Sequence, residues 1–240
     1  MIRDTELQNT TEPAIVYSTC YRLPFLSLFH ADCMDIMKQY PDKYFDLAIV
    51  DPPYGINIAY DPTGRILTNR KTRSGLYSSL AKEQWDDKPS KSYFKELLRV
   101  SKNQIIWGGQ FFAEYLPPKQ CWLVWDKMNG NSSFSDCELA YTSFDLGLRI
   151  FKKYTEKLNK IHICQKPISL YEFQIKKFAK PNFKILDTHF GSGSIALAVD
   201  KANRLDKMNL HLTACEIDKE YIDKAVKRIS ESIKQGTLSF

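Results

Sequence analysis

Short apolar runs recur along the chain, each closed by turn formers and followed by a stretch with helical spacing. Residues 25–30 read as a strand ending at Ala31-Asp32, with a short helix through Met34, Ile36 and Met37 beyond it. Residues 46–50 form a second strand that runs directly into Asp51-Pro52-Pro53-Tyr54-Gly55. Residues 92–100 place Phe94, Leu97 and Leu98 on one helical face. Residues 104–107 then read as a strand stopped by Gly108-Gly109, and 111–116 as a helix closed by Pro117-Pro118. Strands at 121–125 and 138–142 flank a polar loop. Further along, 167–179 is expected to be a helix, 184–186 a strand, 194–201 a helix, 210–215 a strand and 219–233 the last helix. Strands alternating with helices predict a mainly parallel sheet covered on both faces. Residues 1 to about 24 lack a clear period and read as an extension with some strand.

At 240 residues the chain can form one large α/β domain, and 43% hydrophobic with 26% charged residues is ordinary for a globular protein. Its net charge of +6 says little, but the basic residues are clustered. Arg65, Arg70, Lys71 and Arg73 fall in the long polar stretch 56–88, and Arg149, Lys152, Lys153, Lys157 and Lys160 in the segment 145–163. Either cluster is a solvated face or a track for phosphates. The six cysteines are scattered without C-x-x-C pairs, and the four histidines lack ligand spacing, so a reduced interior and no metal site are expected. No basic leader with an apolar core opens the chain, and no run of the length of a membrane span occurs in it. An intracellular, cytoplasmic setting is the expectation.

Two elements carry candidate chemistry. In Phe190-Gly191-Ser192-Gly193-Ser194, two glycines sit in a strand-to-helix turn, where backbone can approach a ligand and helix N–H groups point outward. The full G-x-G-x-x-G pattern is absent because position 196 is Ala, and no Walker lysine follows. The turn alone is equally a plain tight turn. One helix and one strand later comes Glu216-Ile217, placed as the acid that accepts both ribose hydroxyls in nucleotide-binding βαβ units. Glu216 could instead serve as a helix N-terminal charge, a role for which Asp218 is better placed. The other element is Asp51-Pro52-Pro53-Tyr54, a rigid corner of carboxylate, carbonyl and ring. Such a corner suits a planar amine that must be stacked and hydrogen-bonded at once.

Together these residues resemble the S-adenosylmethionine-dependent amino-methyltransferases, chiefly the DNA adenine-N6 enzymes. The tetrapeptide precedes the glycine turn, which resembles the permuted β group. Gln165-Lys166-Pro167 ahead of the glycine strand and Asp32 ahead of the tetrapeptide resemble that group as well. The resemblance spans about residues 25 to 235. It implies a Rossmann-like class I methyltransferase fold with a seven-stranded, mostly parallel sheet in one catalytic domain, 1–240. It implies S-adenosyl-L-methionine as cofactor, with Asp32 and Ile217 at its adenine, and Phe190, Gly191, Ser192 and Gly193 at its methionine end. Lys166 and Asp187 would lie near the methionine carboxylate and amine. Double-stranded DNA is the implied partner, a homodimer is expected, and 56–88 and 145–163 are the implied DNA-contacting insertions. In second place after Asp187, Thr188-His189 replaces the more usual proline, and His189 reads as a packing residue.

The chemistry can be stated separately. An exocyclic adenine amine is a poor nucleophile because its lone pair is delocalised into the ring. A carboxylate at Asp51 and the Pro52 carbonyl, each accepting one N–H, would bias the nitrogen toward tetrahedral geometry, and Tyr54 would stack on the flipped base. Pro53 holds the corner in place. No cysteine follows a proline, so thiolate attack on a cytosine ring is not expected. Trp107 and Trp125-Asp126-Lys127 end two further strands, where ligands gather in parallel sheets; a core tryptophan and a surface ion pair are the equal alternatives. Asn129, Asn131 and Ser132 either contact the nucleotide or make a turn. Cytosine-N4 transfer, an RNA amine methyltransferase and a silent nucleic-acid-binding subunit are the other functions this pattern admits.

Overall fold

The computed structural model describes residues 20–56, 87–129, 135–154, 161 and 165–237. Nine strands form one sheet: β1 Cys20–Leu23, β2 Leu26–His30, β3 Phe45–Val50, β4 Ser101–Trp107, β5 Trp122–Asp126, β6 Cys137–Thr142, β7 Arg149–Lys152, β8 Lys184–Asp187 and β9 His211–Glu216. Their order across the sheet is β1-β2-β9-β8-β3-β4-β6-β5-β7. The helices are α1 Cys33–Met37, α2 Lys91–Val100, α3 Ile168–Phe178, α4 Ser194–Asp206 and α5 Lys219–Thr237.

The expected seven strands are therefore corrected to nine among the described residues, the two additions being the sheet's edges. β1 folds back on β2 as a tight antiparallel hairpin, with Leu23 opposite Leu26. β7 lies parallel to β5, with Val124 opposite Ile150. Its sequence Arg-Ile-Phe-Lys is too short and too basic to announce a strand. Where a helix was expected over residues 111–116, a tighter 3-10 helix runs over Gly109–Tyr115, entered through Gly108 in the left-handed region at φ 67°.

Central strand β3 is buried nearly throughout, the pattern of a parallel strand covered on both faces. Its side chains alternate between two cores. Leu47 and Ile49 pack with α3, α4 and α5 through Leu170, Val199 and Ile222. Phe45, Ala48 and Val50 pack with α1 and α2 through Ile36, Phe94 and Leu97. Amphipathic α2 forms because Tyr93, Phe94, Leu97 and Val100 recur at helical spacing and are all buried.

Strands β2, β9, β8, β3 and β4 run parallel, so their carboxyl ends share one edge. β6 returns from β5 as a hairpin and inserts against β4, antiparallel to both. The start of β6 thus joins the same edge. Asp32, Asp51, Trp107, Asp126, Glu138, Asp187 and Glu216 all sit at that edge.

At the opposite end, Asp46 pins three strands. Its Oδ2 accepts the Lys184 backbone N–H of β8 (2.9 Å), and its Oδ1 accepts from Lys102 Nζ of β4 (2.7 Å). Asp46→Ala should lower stability by about 1–3 kcal/mol, because a backbone donor loses its charged acceptor. Urea unfolding would show a lower midpoint; an unchanged midpoint would remove Asp46 from the account of strand register.

Candidate active site

A group of alternating charges lies at the carboxyl edge. Asp51 follows β3, Lys166 precedes α3, Glu138 opens β6 and Lys127 follows β5. The Lys166 ammonium donates to Asp51 Oδ2 and, at 3.2 Å, to the Tyr54 hydroxyl oxygen. The Tyr54 hydroxyl in turn donates to Asp51 Oδ1 at 2.6 Å. Glu138 Oε2 lies 3.2 Å from Lys166 Nζ as a charge contact without an aligned hydrogen bond, while Glu138 Oε1 pairs with Lys127 at 2.7 Å. The Lys166 side chain is only 3% exposed, so this cation depends on its carboxylates.

Burial pushes the Asp51 carboxyl above the usual range, Lys166 opposes the rise, and the charge of Glu138 reinforces it. Glu138 ends at about 2: burial pushes it up, but the ammoniums of Lys166 and Lys127 outweigh that. Glu138 is therefore a fixed anion at neutral pH.

The corner is shaped by close packing. A Cβ on Gly108 would come within 2.3 Å of the Tyr54 ring, so a glycine is required where that ring crosses the end of β4. Tyr54 also stacks on Phe111, with centroids 5.2 Å apart and planes 23° apart.

The glycine turn occupies the neighbouring strand end, since β8 pairs directly with β3. Gly191 and Gly193 both adopt positive φ, 51° and 69°. A Cβ on Gly193 would press on Phe190 and Ile229 at 3.1–3.2 Å. Arg228 of α5 braces the turn by donating to the Ser192 carbonyl at 2.9 Å. Glu216 Oε2 accepts the Gly191 N–H (2.9 Å), and Oε1 accepts those of Ile217 (2.9 Å) and Asp218 (3.0 Å). The acid therefore ties the glycine turn to the start of the last helix. Burial raises its carboxyl, and the three backbone donors act against the rise.

Asp187 ends β8 almost fully buried, and burial lifts it to about 8 against one backbone hydrogen bond from His189. Burial holds His189 down to about 4, hence neutral, with Nδ1 2.9 Å from Thr188 Oγ1. Thr188 Oγ1 also bonds the Tyr93 hydroxyl of α2 at 2.6 Å, so these two residues pack the turn against α2. Asp32 caps α1 by accepting the Met34 N–H at 2.7 Å. Ile217 stands 70% exposed beside it, across the β2–β9 pairing that sets His30 opposite Glu216.

The structure thus brings together Asp51, Tyr54 and Lys166 in one group, and Asp32, Asp187, Gly191, Gly193 and Glu216 along the adjoining strand ends. Several other candidates are placed differently. Trp107 is fully buried, with Lys166 Nζ 5.3 Å from its ring centroid, so it is a core wall and not a surface open to a base. Lys127 is engaged by Glu138, and its ammonium lies over the Trp125 ring at 5.5 Å. Asn129 Nδ2 donates to the Ser135 carbonyl within the loop (2.9 Å), and Lys153 Nζ to Ser169 (2.9 Å). Lys152, 63% exposed, stands 3.9 Å from Asp126. Arg65, Arg70, Lys71, Arg73, Asn131, Ser132, Lys157 and Lys160 lie outside the described residues. Glu138 was not legible as a site residue: in sequence it merely opens an apolar strand.

Residues 113–227 match the family model described as DNA methylase, N6_N4_Mtase. That span contains Glu138, Lys166, the glycine turn and Glu216. The Type II methyltransferase M1.MboII of Moraxella bovis is 22% identical over 270 residues, covering 81% of this chain and 92% of that protein. M.HinfI of Haemophilus influenzae is 26% identical over 260 residues, covering 85% and 68%. By these matches the chain is similar to DNA methylases of this family. In fold, the chain is similar to M1.HpyAVI solved as a complex with SAM, at TM-score 0.55 and 18% identity over 85% of this chain and 98% of that one. It is likewise similar to the cytosine-N4-specific PvuII DNA methyltransferase, at TM-score 0.53 and 12% identity over 93% and 94%.

The burial of Asp187 has a consequence for stability. Its native carboxyl titrates at about 8 against an ordinary 3.8, so the native state binds the extra proton between those values. Its stabilising contribution is complete below the ordinary value and is lost as pH rises toward about 8. Asp187→Asn should flatten the fall in stability between about pH 4 and about pH 8, read from urea midpoints. An undiminished slope in the variant would contradict this.

Proposed function

We propose that this methylase transfers a methyl group from S-adenosyl-L-methionine to the N6 amine of adenine in double-stranded DNA, with the base turned out of the helix. The observation that carries the reading is the juxtaposition of Asp51 and the glycine turn on adjacent parallel strands. A nucleophile held at one strand end would face a donor held at the next.

The chain's own residues fit the cofactor. Two positive-φ glycines allow close backbone approach, Asp187 offers a buried carboxyl group, and Glu216 and Asp32 offer acceptors beyond it. Asp187 would meet the methionine amine, Phe190 and Ser192 the methionine end, Glu216 the ribose hydroxyls, and exposed Ile217 the adenine face. When bound, the cofactor supplies an electrophilic methyl group on a sulfonium. Asp51 and the Pro52 carbonyl accept the two N–H bonds of the target amine and direct its lone pair. The Tyr54 ring flanks the base, and its hydroxyl must leave Asp51 Oδ1 for the amine to take that place. Lys166 remains on Oδ2 and keeps the carboxylate ionised. Exposed Lys152 and the basic stretch of Arg65, Arg70, Lys71 and Arg73 would bind phosphates. Such a substrate sets the protein inside the cell.

The same corner would serve the N4 amine of cytosine, and the fold likeness to a cytosine-N4-specific enzyme makes that the second reading. Labelled S-adenosylmethionine incubated with duplex DNA, followed by nucleoside analysis, separates them. N6-methyladenine is expected; N4-methylcytosine alone, or transfer to RNA alone, would overturn the assignment. Asp51→Ala should cut transfer by about a thousandfold or more while changing cofactor affinity by less than about threefold. Near-normal transfer would refute the role of Asp51. Cofactor binding at neutral pH should also release protons, because an ammonium brought to Asp187 lowers its carboxyl from about 8. Calorimetry in buffers of different ionisation heat would detect this, and a buffer-independent heat would place the amine elsewhere.

A further inference from the structure

Both oxygens of Asp51 are occupied: Oδ2 by the Lys166 ammonium, Oδ1 by the Tyr54 hydroxyl. An incoming amine needs one of them. Tyr54 is a neutral donor on the corner itself and can yield a single hydrogen bond. Lys166 is a buried cation and cannot leave its carboxylates without a large desolvation cost. What matters is therefore on which side of Asp51 that cation is held.

Glu138 decides this. It lies on β6, which is paired to β4 on one side and β5 on the other, and its Oε1 is fixed by Lys127 at 2.7 Å. Its Oε2 stands 3.2 Å from Lys166 Nζ. The ammonium is thus shared between two carboxylates that come from different strands. With Glu138 neutralised, Asp51 becomes the remaining carboxylate in contact with Lys166 among the described residues. The cation would then move fully onto Asp51 and compete with the target amine.

We propose that Glu138 is a positioning residue that acts through Lys166, holding the ammonium to one side of Asp51 so that Oδ1 can accept the target amine. This rests on the methyl-transfer reading above. The ionisable and charged groups around Asp51 are Tyr54 at the same corner, Lys127 after β5, Glu138 on β6, Lys166 before α3, Tyr171 on α3 and Asp187 on β8. Of these, Glu138 raises the Asp51 carboxyl through its charge, so neutralising it should shift the acid limb of the pH profile of kcat downward.

Steady-state kinetics of Glu138→Gln on duplex DNA test the proposal. We expect kcat to fall about tenfold or more with the cofactor KM within about twofold, and the acid limb to move to lower pH. Glu138→Asp, which keeps the charge, should recover most of kcat. A kcat within twofold of the unaltered protein and an unmoved acid limb would overturn the role of Glu138. So would an equal loss in the aspartate variant. If the glutamine variant does not bind cofactor, the aspartate variant decides alone: near-normal kcat with normal cofactor affinity supports the proposal, and a deep loss of kcat refutes it. Absence of transfer by the unaltered protein would refute the underlying reading instead, so the two failures are distinct.

Discussion

Desolvating a lysine ammonium costs several kcal/mol unless carboxylates surround it, and Lys166 is buried at the sheet edge between Asp51 and Glu138. That pairing constrains much of what surrounds it. Asp51 must follow β3 with its carboxylate turned toward α3, Glu138 must open a strand that runs against its neighbours, and Tyr54 must cross the end of β4 where only a glycine fits. Removing either carboxylate would leave a poorly compensated charge. The arrangement is costly to stability by itself, and Lys166 opposes the rise that burial and Glu138 impose on the Asp51 carboxyl.

The sheet order explains why this corner can act beside a cofactor. β3 and β8 are direct neighbours, so Asp51 and Asp187 stand at adjacent strand ends, close enough for the Asp51 charge to add to the rise that burial imposes on the Asp187 carboxyl. Glu216 and Asp32 continue the same edge on β9 and β2. A row of acids along one edge would repel itself in isolation. Backbone N–H groups of the glycine turn and of the last helix satisfy Glu216, and burial keeps Asp187 protonated until a cation arrives. The donor half and the acceptor half are thus electrostatically linked.

Much of this was readable in the sequence. Continuous apolar runs gave the central strands because parallel strands buried on two faces cannot alternate with polar residues. The glycine turn and the acid-proline corner were visible because their chemistry is local. Edge strand β7 was not, since Ile150 and Lys152 carry its solvent-facing side, so no apolar alternation marks it, and its pairing with β5 is tertiary. Lys166 was expected at the methionine end of a cofactor, whereas its ammonium contacts Asp51; a contact across so long a sequence separation leaves no local trace. Glu138 was missed for the same reason. Trp107 had two readings in sequence, and its complete burial selects the core.

The central claim is that Asp51 receives the target amine on Oδ1 while Lys166 stays on Oδ2. A crystal structure of the protein with S-adenosylhomocysteine and a duplex carrying its target site tests it most directly. The account predicts an extrahelical adenine with N6 within about 3 Å of Asp51 Oδ1 and the Tyr54 hydroxyl displaced from that oxygen. An adenine bound elsewhere, with the Tyr54 hydroxyl still on Asp51, would contradict it.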